Sequence, residues 1–424
     1  MSKKIIHVIL RNKIIGIDSI LPLCMEINGK CGYDFNFISL DKATFRFIME
    51  DNIVLRDAIK YIGKIELVSS DKYKSRYMSK IFFFYFFLKV ILGVSIRNDY
   101  VIHSAHLHSK PFIWIRRLFK RKNVIFSEAS SFGATKVIDF TNVNKDNLKS
   151  VYSKRLSYDE IIKYGIDMHF NPPLLYAGIL VGFDKKWNYF KHPEARKLKK
   201  MVFKNLRRRG FWIDFTNKHA NKYIKDEMPI CYPENSNILV FIATRIHRNI
   251  DYYCITEFFG ALKALSKYMH NFPLFIKLHT FSDIDFINEL LDIALGSENS
   301  TRYVITTLHP AVLSTRAMVS VFANAGSIMQ EFLELGTPVI DLQIYEYTLP
   351  DSYFRLSEIK PKDKLKARYK NRKKFSDYTF SNTEDFNKFM CGVISADASE
   401  DTSSSKHILS GLQINDIDCS LLKQ

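Results

Sequence analysis

No two cysteines in this chain are spaced like a metal-binding or redox pair. The six, Cys24, Cys31, Cys231, Cys254, Cys391 and Cys419, are scattered, and the nearest two, Cys24 and Cys31, fit no zinc pattern. That speaks against a zinc finger or a thioredoxin-like motif and leads to the expectation of six reduced thiols in a cytosolic protein. No apolar run reaches the roughly 20 residues that a membrane-crossing helix needs. Lys3-Lys4 is followed only by the short strand pattern Ile5 to Leu10, so no secretory leader is recognised and export by that route is not expected. There is no repeat period, which excludes a solenoid. Acidic residues are in short supply: 44 Asp and Glu face 62 Lys and Arg, a formal net charge of +18. Such an excess calls for an anionic partner or surface.

What the chain has is enough apolar material for two cores. Its 424 residues are 47% hydrophobic and 14% aromatic, more than one domain usually organises. Two segments carry the strongest pattern. Phe275-Ile276-Lys277-Leu278-His279 reads as a buried strand whose end presents Lys277 and His279 to one face, because successive side chains alternate. Val319 to Ala323 reads as a second strand, ending at Asn324-Ala325-Gly326-Ser327, after which Ile328, Phe332 and Leu335 recur at helical spacing. Small residues between a strand and a helix leave free N–H groups and the positive helix end outward, where a diphosphate or phosphodiester is stabilised without a metal. Lys277 supplies a cation for a phosphate leaving group, and His279 a hydrogen bond or proton; a solvated strand end is the plain alternative. Glu331, about one turn into the helix, either accepts from a ribose or base or complements the dipole. Leu335-Gly336-Thr337-Pro338-Val339-Ile340 then opens the next strand.

This order of strand, Lys-x-His, small-residue turn, Glu on a helix and Leu-Gly-Thr-Pro-Val-Ile resembles the nucleotide-binding half of two-domain GT-B glycosyltransferases. It is most similar to the bacterial capsule-synthesis group that includes Kdo transferases, and more distantly to CMP-sialic-acid-using enzymes. Those families carry Lys-Pro-His-Pro and a Ser/Thr pair, whereas Lys277-Leu278-His279-Thr280 lacks both prolines and Gly326-Ser327 replaces the pair. The resemblance covers roughly residues 236 to 350. It implies an α/β, GT-B-like chain: two Rossmann-like domains with parallel sheets facing an interdomain cleft. The expected division is an acceptor-binding domain over 1–235, a nucleotide-sugar-binding domain over 236–394 and a mobile tail over 395–424. Two prolines between Met228 and Asn235 mark the boundary.

In the first half, Ile5 to Leu10 and Tyr33 to Leu40 read as strands, with a helix beginning over Asp18 to Met25. His103, His106 and His108 lie at or just past the end of a strand near Asp99, where acceptor-side groups belong in an open sheet, although packing roles fit each one singly. A helix from Pro111 to Phe119 and a strand from Asn123 to Ser127 follow. Glu128, next in Ser127-Glu128-Ala129-Ser130, resembles the acidic motif of capsule-type Kdo transferases. It is the candidate to take the acceptor proton or attack the anomeric carbon; a cap or surface carboxylate is the alternative. Asp139 is the reserve. Lys185 to Arg209 reads as basic and helix-rich.

Beyond the boundary, the strand Ile238 to Ala243 ends in Thr244-Arg245-Ile246-His247-Arg248, before a helix from Tyr252 to Met269. Arg245 and Arg248 suit bidentate pairing with donor phosphate or a sugar carboxylate, and equally a plain surface loop. Tyr345-Glu346-Tyr347 borders the donor by resemblance. Asp283-Ile284-Asp285 and Asp416-Ile417-Asp418 match an Asp-x-Asp metal motif only superficially, since the first opens a helix, so no metal is expected.

Basic clusters occur at Arg116-Arg117, Lys120-Arg121-Lys122, Arg196 to Lys200, Arg207-Arg208-Arg209 and Lys360 to Lys374. Nothing resembles a helix-turn-helix, zinc finger or RNP-type aromatic signature, which argues against nucleic acid. The aromatic run Ile81 to Leu92, preceded by Lys72, Lys74, Arg76 and Lys80, reads either as a core helix or as an interfacial helix on anionic lipid. The expected function is sugar transfer from a nucleotide-activated donor, CMP-linked Kdo or a UDP-sugar, to a glycan or lipid-linked acceptor in capsule or O-antigen synthesis. The expected location is the inner face of the cytoplasmic membrane. Polyol-phosphate transfer of the teichoic-acid type and a noncatalytic scaffold are the alternatives.

Overall fold

The computed structural model describes residues 4–10, 14–68, 76–103, 124–127, 178–181, 199–202, 210–243, 246, 252–279, 282–323, 328–347, 349 and 376–399. The chain forms two compact units that divide between Trp212 and Ile213.

The first unit is built on β1 (Ile5–Leu10), β2 (Asp34–Ser39), β3 (Gly63–Leu67), β4 (Tyr100–His103), β5 (Val124–Ser127), β6 (Gly178–Val181) and β7 (Lys199–Val202). They lie in the order β3-β2-β1-β4-β5-β6-β7, with every neighbour parallel. Its described α-helices are α1 (Ile14–Cys31), α2 (Lys42–Arg46), α3 (Ile53–Ile62) and α4 (Arg76–Ile96). α3 shows why these segments fold so: Asn52 caps it by accepting from Leu55 N at 3.0 Å, and Val54, Leu55, Ala58, Ile59 and Ile62 bury one face.

Helix α5 (Gly210–Glu227) spans the division between the units. The second unit holds β8 (Ile238–Ala243), β9 (Leu274–Lys277), β10 (Tyr303–Thr306), β11 (Ala317–Ala323), β12 (Val339–Leu342) and β13 (Tyr378–Phe380), ordered β10-β9-β8-β11-β12-β13 and again wholly parallel. Its described α-helices are α6 (Tyr252–Ser266), α7 (Ile284–Leu295), α8 (Pro310–Leu313), α9 (Ile328–Glu334) and α10 (Thr383–Ser399). β8 is apolar and buried at all six positions because a parallel sheet is covered on both faces. Phe241 of β8 meets Phe258 of α6 with ring centroids 5.4 Å apart. The one polar residue in the middle of β11, Ser320, is satisfied by donating to Pro338 O at 3.0 Å.

Four sequence expectations change. α1 starts at Ile14 rather than Asp18 and runs through Pro22; the bond lost at proline is outweighed by burial of Ile17, Ile20, Leu21 and Cys24 at helical spacing. α4 extends beyond the run Ile81 to Leu92 at both ends. Within Lys185 to Arg209, Lys199–Val202 is the end strand β7 of the sheet. Cys31 is disulfide-bonded, with a partner outside the described residues, whereas Cys24, Cys231, Cys254 and Cys391 are free. Sequence spacing does not register cysteines that the fold brings together.

At the amino end of the first sheet, buried Asp99 accepts from Ile5 N at 3.2 Å and from Arg97 Nη2 at 2.7 Å, and faces His7 Nε2 at 3.4 Å. Burial pushes its carboxyl up, but bonds from His7, Arg97 and Ile5 together hold it below its ordinary value. A carboxyl lowered in the native state adds stability above its unfolded value, and that stability is lost as pH falls through the native one. Asp99→Asn should therefore cost about 1–2 kcal/mol at neutral pH. In urea melts the deficit should shrink as the pH is lowered past the native carboxyl value.

Candidate functional site

In a doubly wound sheet, ligands bind beyond the carboxyl ends of the strands where the order reverses. In the second unit that point lies between β8 and β11, whose last residues, Ala243 and Ala323, are register partners. Arg245, Arg248, Asn324, Gly326 and Ser327 follow these two strands in the chain but lie outside the described residues. Ile246 is described: it is buried, its N–H donates to Ser282 Oγ at 3.1 Å, and its carbonyl accepts from Asp283 N at 2.8 Å. The loops that follow β8 and β9 are therefore fastened together at this residue. Asp283 also caps α7 by accepting from Phe286 N at 3.2 Å, so Asp283-Ile284-Asp285 begins a helix.

Lys277 ends β9, level with Ile242 of β8 on one side and Thr306 of β10 on the other. Its ammonium donates to Leu308 O at 2.7 Å and Thr307 O at 3.3 Å. The lysine thus pins the segment leaving β10 across the sheet edge. Thr306 Oγ1 accepts from Leu308 N at 3.0 Å, and the same hydroxyl bonds the carboxylate of Glu227 at the end of α5. Burial pushes the Glu227 carboxyl above its ordinary value; the Thr306 hydroxyl and the Lys277 ammonium pull it partly back, while Asp226 adds to the rise. Glu227 Oε2 is buried with no hydrogen-bond partner among the described residues. His279 is half-buried two residues beyond Lys277, and its carbonyl accepts from Ser282 N at 2.9 Å.

Glu331 is buried on α9, its Oε1 3.6 Å from His309 Nε2. His309 is fixed by its other nitrogen, since Nδ1 accepts from Ala311 N at 3.1 Å and caps α8 ahead of Pro310. Leu308 and His309 are adjacent, so one short segment touches both Lys277 and Glu331. Sequence reasoning missed Glu227, Thr306 and His309. A His before Pro at a helix start was a legible cap signal for the last; nothing local marked the other two. After Asp341, Tyr345 donates to Glu257 Oε2 of α6 at 2.8 Å.

In the first unit the order reverses between β1 and β4, and His103 ends β4 beside Ile9. The His103 side chain, His106, His108, Glu128 and Asp139 lie outside the described residues; Glu128 is the residue after β5. Among the described residues, no group of three His, Cys, Asp or Glu is placed to hold a metal ion. No helix among them is long and apolar enough to cross a membrane.

The two parallel sheets, each with its order reversing beside its first strand, define two Rossmann-like α/β domains. No family model matches the chain, and no curated protein does. Among solved structures it is similar to Phytolacca americana UGT2 complexed with UDP-2-fluoro-glucose and pterostilbene, with TM-score 0.43, 7% identity, and coverage of 80% of this chain and 79% of that one. It is also similar to UDP-GlcNAc 2-epimerase from Neisseria meningitidis bound to UDP-GlcNAc (TM-score 0.42, 13% identity, 80% and 82% coverage). A third is the glycotransferase of kitacinnamycin (TM-score 0.42, 11% identity, 94% and 92% coverage). At this degree of overlap the fold class rests on the two sheets themselves.

Proposed function

We propose that this chain is a glycosyltransferase that takes a sugar from a nucleotide-activated donor held by the second unit. The observation that carries the reading is the carboxyl edge of the six-stranded sheet. There the strand order is that of a doubly wound nucleotide-binding sheet, and Lys277 and His279 lie at the end of the second strand from the reversal point, with Lys277 held in place by two carbonyls. In the reaction, an acceptor hydroxyl attacks the anomeric carbon and the bond from that carbon to the donor phosphate breaks. Lys277 is the cation nearest the departing phosphate in this reading, and His279 gives it a hydrogen bond or a proton. Arg245, Arg248, Asn324, Gly326 and Ser327 complete the donor contacts, with no divalent cation required. Glu128, with Asp139 in reserve, takes the hydroxyl proton, and His103, His106 and His108 line the acceptor side.

The finer proposal, from the resemblance around Lys277-Leu278-His279, is an acidic sugar such as Kdo, added to a glycan or lipid-linked acceptor during capsule or O-antigen synthesis at the inner membrane face. The test is calorimetry and thermal melting with CMP, UDP, CDP and GDP, with and without magnesium. One nucleotide should stabilise the protein by about 2.7 kcal/mol at a hundredfold excess over Kd. His279→Ala should remove turnover and weaken that response while the protein stays folded. A folded protein indifferent to all four nucleotides would overturn the reading.

A further inference from the structure

Helix α4 carries two apolar faces, and the core uses only one. Phe86, Val90 and Val94 are buried against the first unit. On the opposite side Ile81, Phe84, Tyr85, Leu88, Leu92 and Ile96 are exposed, Phe84 by 71% and Ile96 by 73%. At 3.6 residues per turn these six fall within an arc of about 120° and run for about 22 Å along the helix. Single exposed apolar residues are ordinary on a protein surface; a continuous stripe of this length marks a contact surface.

The charges along this stretch of the sequence decide what covers it. From residue 72 to residue 98 the sequence has six basic residues, Lys72, Lys74, Arg76, Lys80, Lys89 and Arg97, and no Asp or Glu. Lys89 is exposed beside the stripe, while Arg97 is engaged with Asp99. A second copy pairing through α4 would bring together two segments that both carry net positive charge and supply no acidic residue of their own. An anionic bilayer surface answers both features: the aromatic and aliphatic side chains enter the boundary between headgroups and acyl chains, and the lysines meet lipid phosphate. We propose that α4 lies along an anionic membrane surface with the Ile81 to Ile96 stripe facing the lipid. The inference stands on the first unit alone and does not depend on the donor chemistry proposed for the second.

The test is flotation of the full chain with vesicles of phosphatidylcholine alone and of phosphatidylcholine mixed with phosphatidylglycerol. The protein should float with the mixed vesicles, and Phe84→Asp combined with Leu88→Asp should weaken that association by about tenfold or more. Because both positions are exposed, the melting temperature should be unchanged; Leu92→Asp alone provides a second variant if the pair fails to fold. Lys72→Glu with Lys74→Glu and Lys80→Glu should weaken binding to the mixed vesicles more than to the neutral ones. Absence of binding to either vesicle would overturn the proposal, as would binding indifferent to the α4 substitutions. A concentration-dependent dimer abolished by Phe84→Asp and Leu88→Asp would overturn it in favour of a second copy.

Discussion

Lys277→Ala should abolish nucleotide-dependent stabilisation and lower folding stability by about 3 kcal/mol, a larger loss than an exposed lysine would give. Two charge-assisted bonds, to Leu308 O and Thr307 O, disappear together, and the segment between β10 and α8 loses its tie to β9. A second contribution comes from Glu227, whose carboxyl is already raised by burial and loses the ammonium that pulls it down. A carboxyl raised in the native state costs stability as pH climbs from its unfolded value through the native one, and costs nothing below both. The deficit of Lys277→Ala should therefore be greater at neutral pH than below about pH 4. Glu227→Gln keeps an acceptor for Thr306 and removes the buried charge. It should raise stability at neutral pH and make the Lys277→Ala loss smaller in a double-mutant cycle. Urea melts across pH together with nucleotide titration separate the two roles of the lysine. Equal deficits at both ends of the pH range, with a normal nucleotide response, would leave it only as a surface cation.

Gly260→Ala should destabilise the second unit by about 2–3 kcal/mol although alanine is the better helix former. Gly260 lies on α6 where an added Cβ would press into Ile344 O and come within 3.1 Å of the Ile344 carbonyl carbon and Cβ. Ile344 is itself wholly buried just after β12, so neither partner can retreat without moving backbone. The propensity gain of about 1 kcal/mol is smaller than the cost of lifting α6 from the chain beneath it. The same displacement would stretch the Tyr345 to Glu257 bond, 2.8 Å long between the same two segments. Thermal melting measures the loss, and Gly392→Ala is the control: it is also helical, on α10, but meets nothing within 4 Å. If the two substitutions behave alike, the close approach at Gly260 is not what sets the helix position.

Much of the fold was legible because parallel strands buried on both faces leave unbroken apolar runs. Ile5–Leu10 and Ile238–Ala243 are strands with the bounds expected from sequence, and the Val319 to Ala323 run falls within β11. Lys199–Val202 was not, because a lysine-bearing strand has the composition of a solvated helix. β6 is four residues long and has no neighbouring signal of its own. For the site, alternation along β9 correctly put Lys277 at a strand end, but no periodicity foretells that its ammonium bonds carbonyls some thirty residues further on. The sequence left Glu331 with two orientations, and the structure sets it, buried, against His309. Glu227 enters the site only because α5 ends beside the edge formed by β9 and β10, a tertiary fact without a local signature.

The wholly parallel sheets also bear on how the chain reaches its native state. Among the described strands no two form a hairpin, so each of these ladders waits for a crossover: in the central pair of the second sheet, Ala243 must find Ala323, and the first sheet is incomplete until β7 has been synthesised. Loop-closure entropy is then spent before most contacts reward it, so refolding should be slow and leave strand edges open to other chains meanwhile. Synthesis from the amino terminus relieves this, since the first sheet can assemble before β8 emerges. A diluted denatured chain has no such sequence of events, and its recovery should depend strongly on protein concentration.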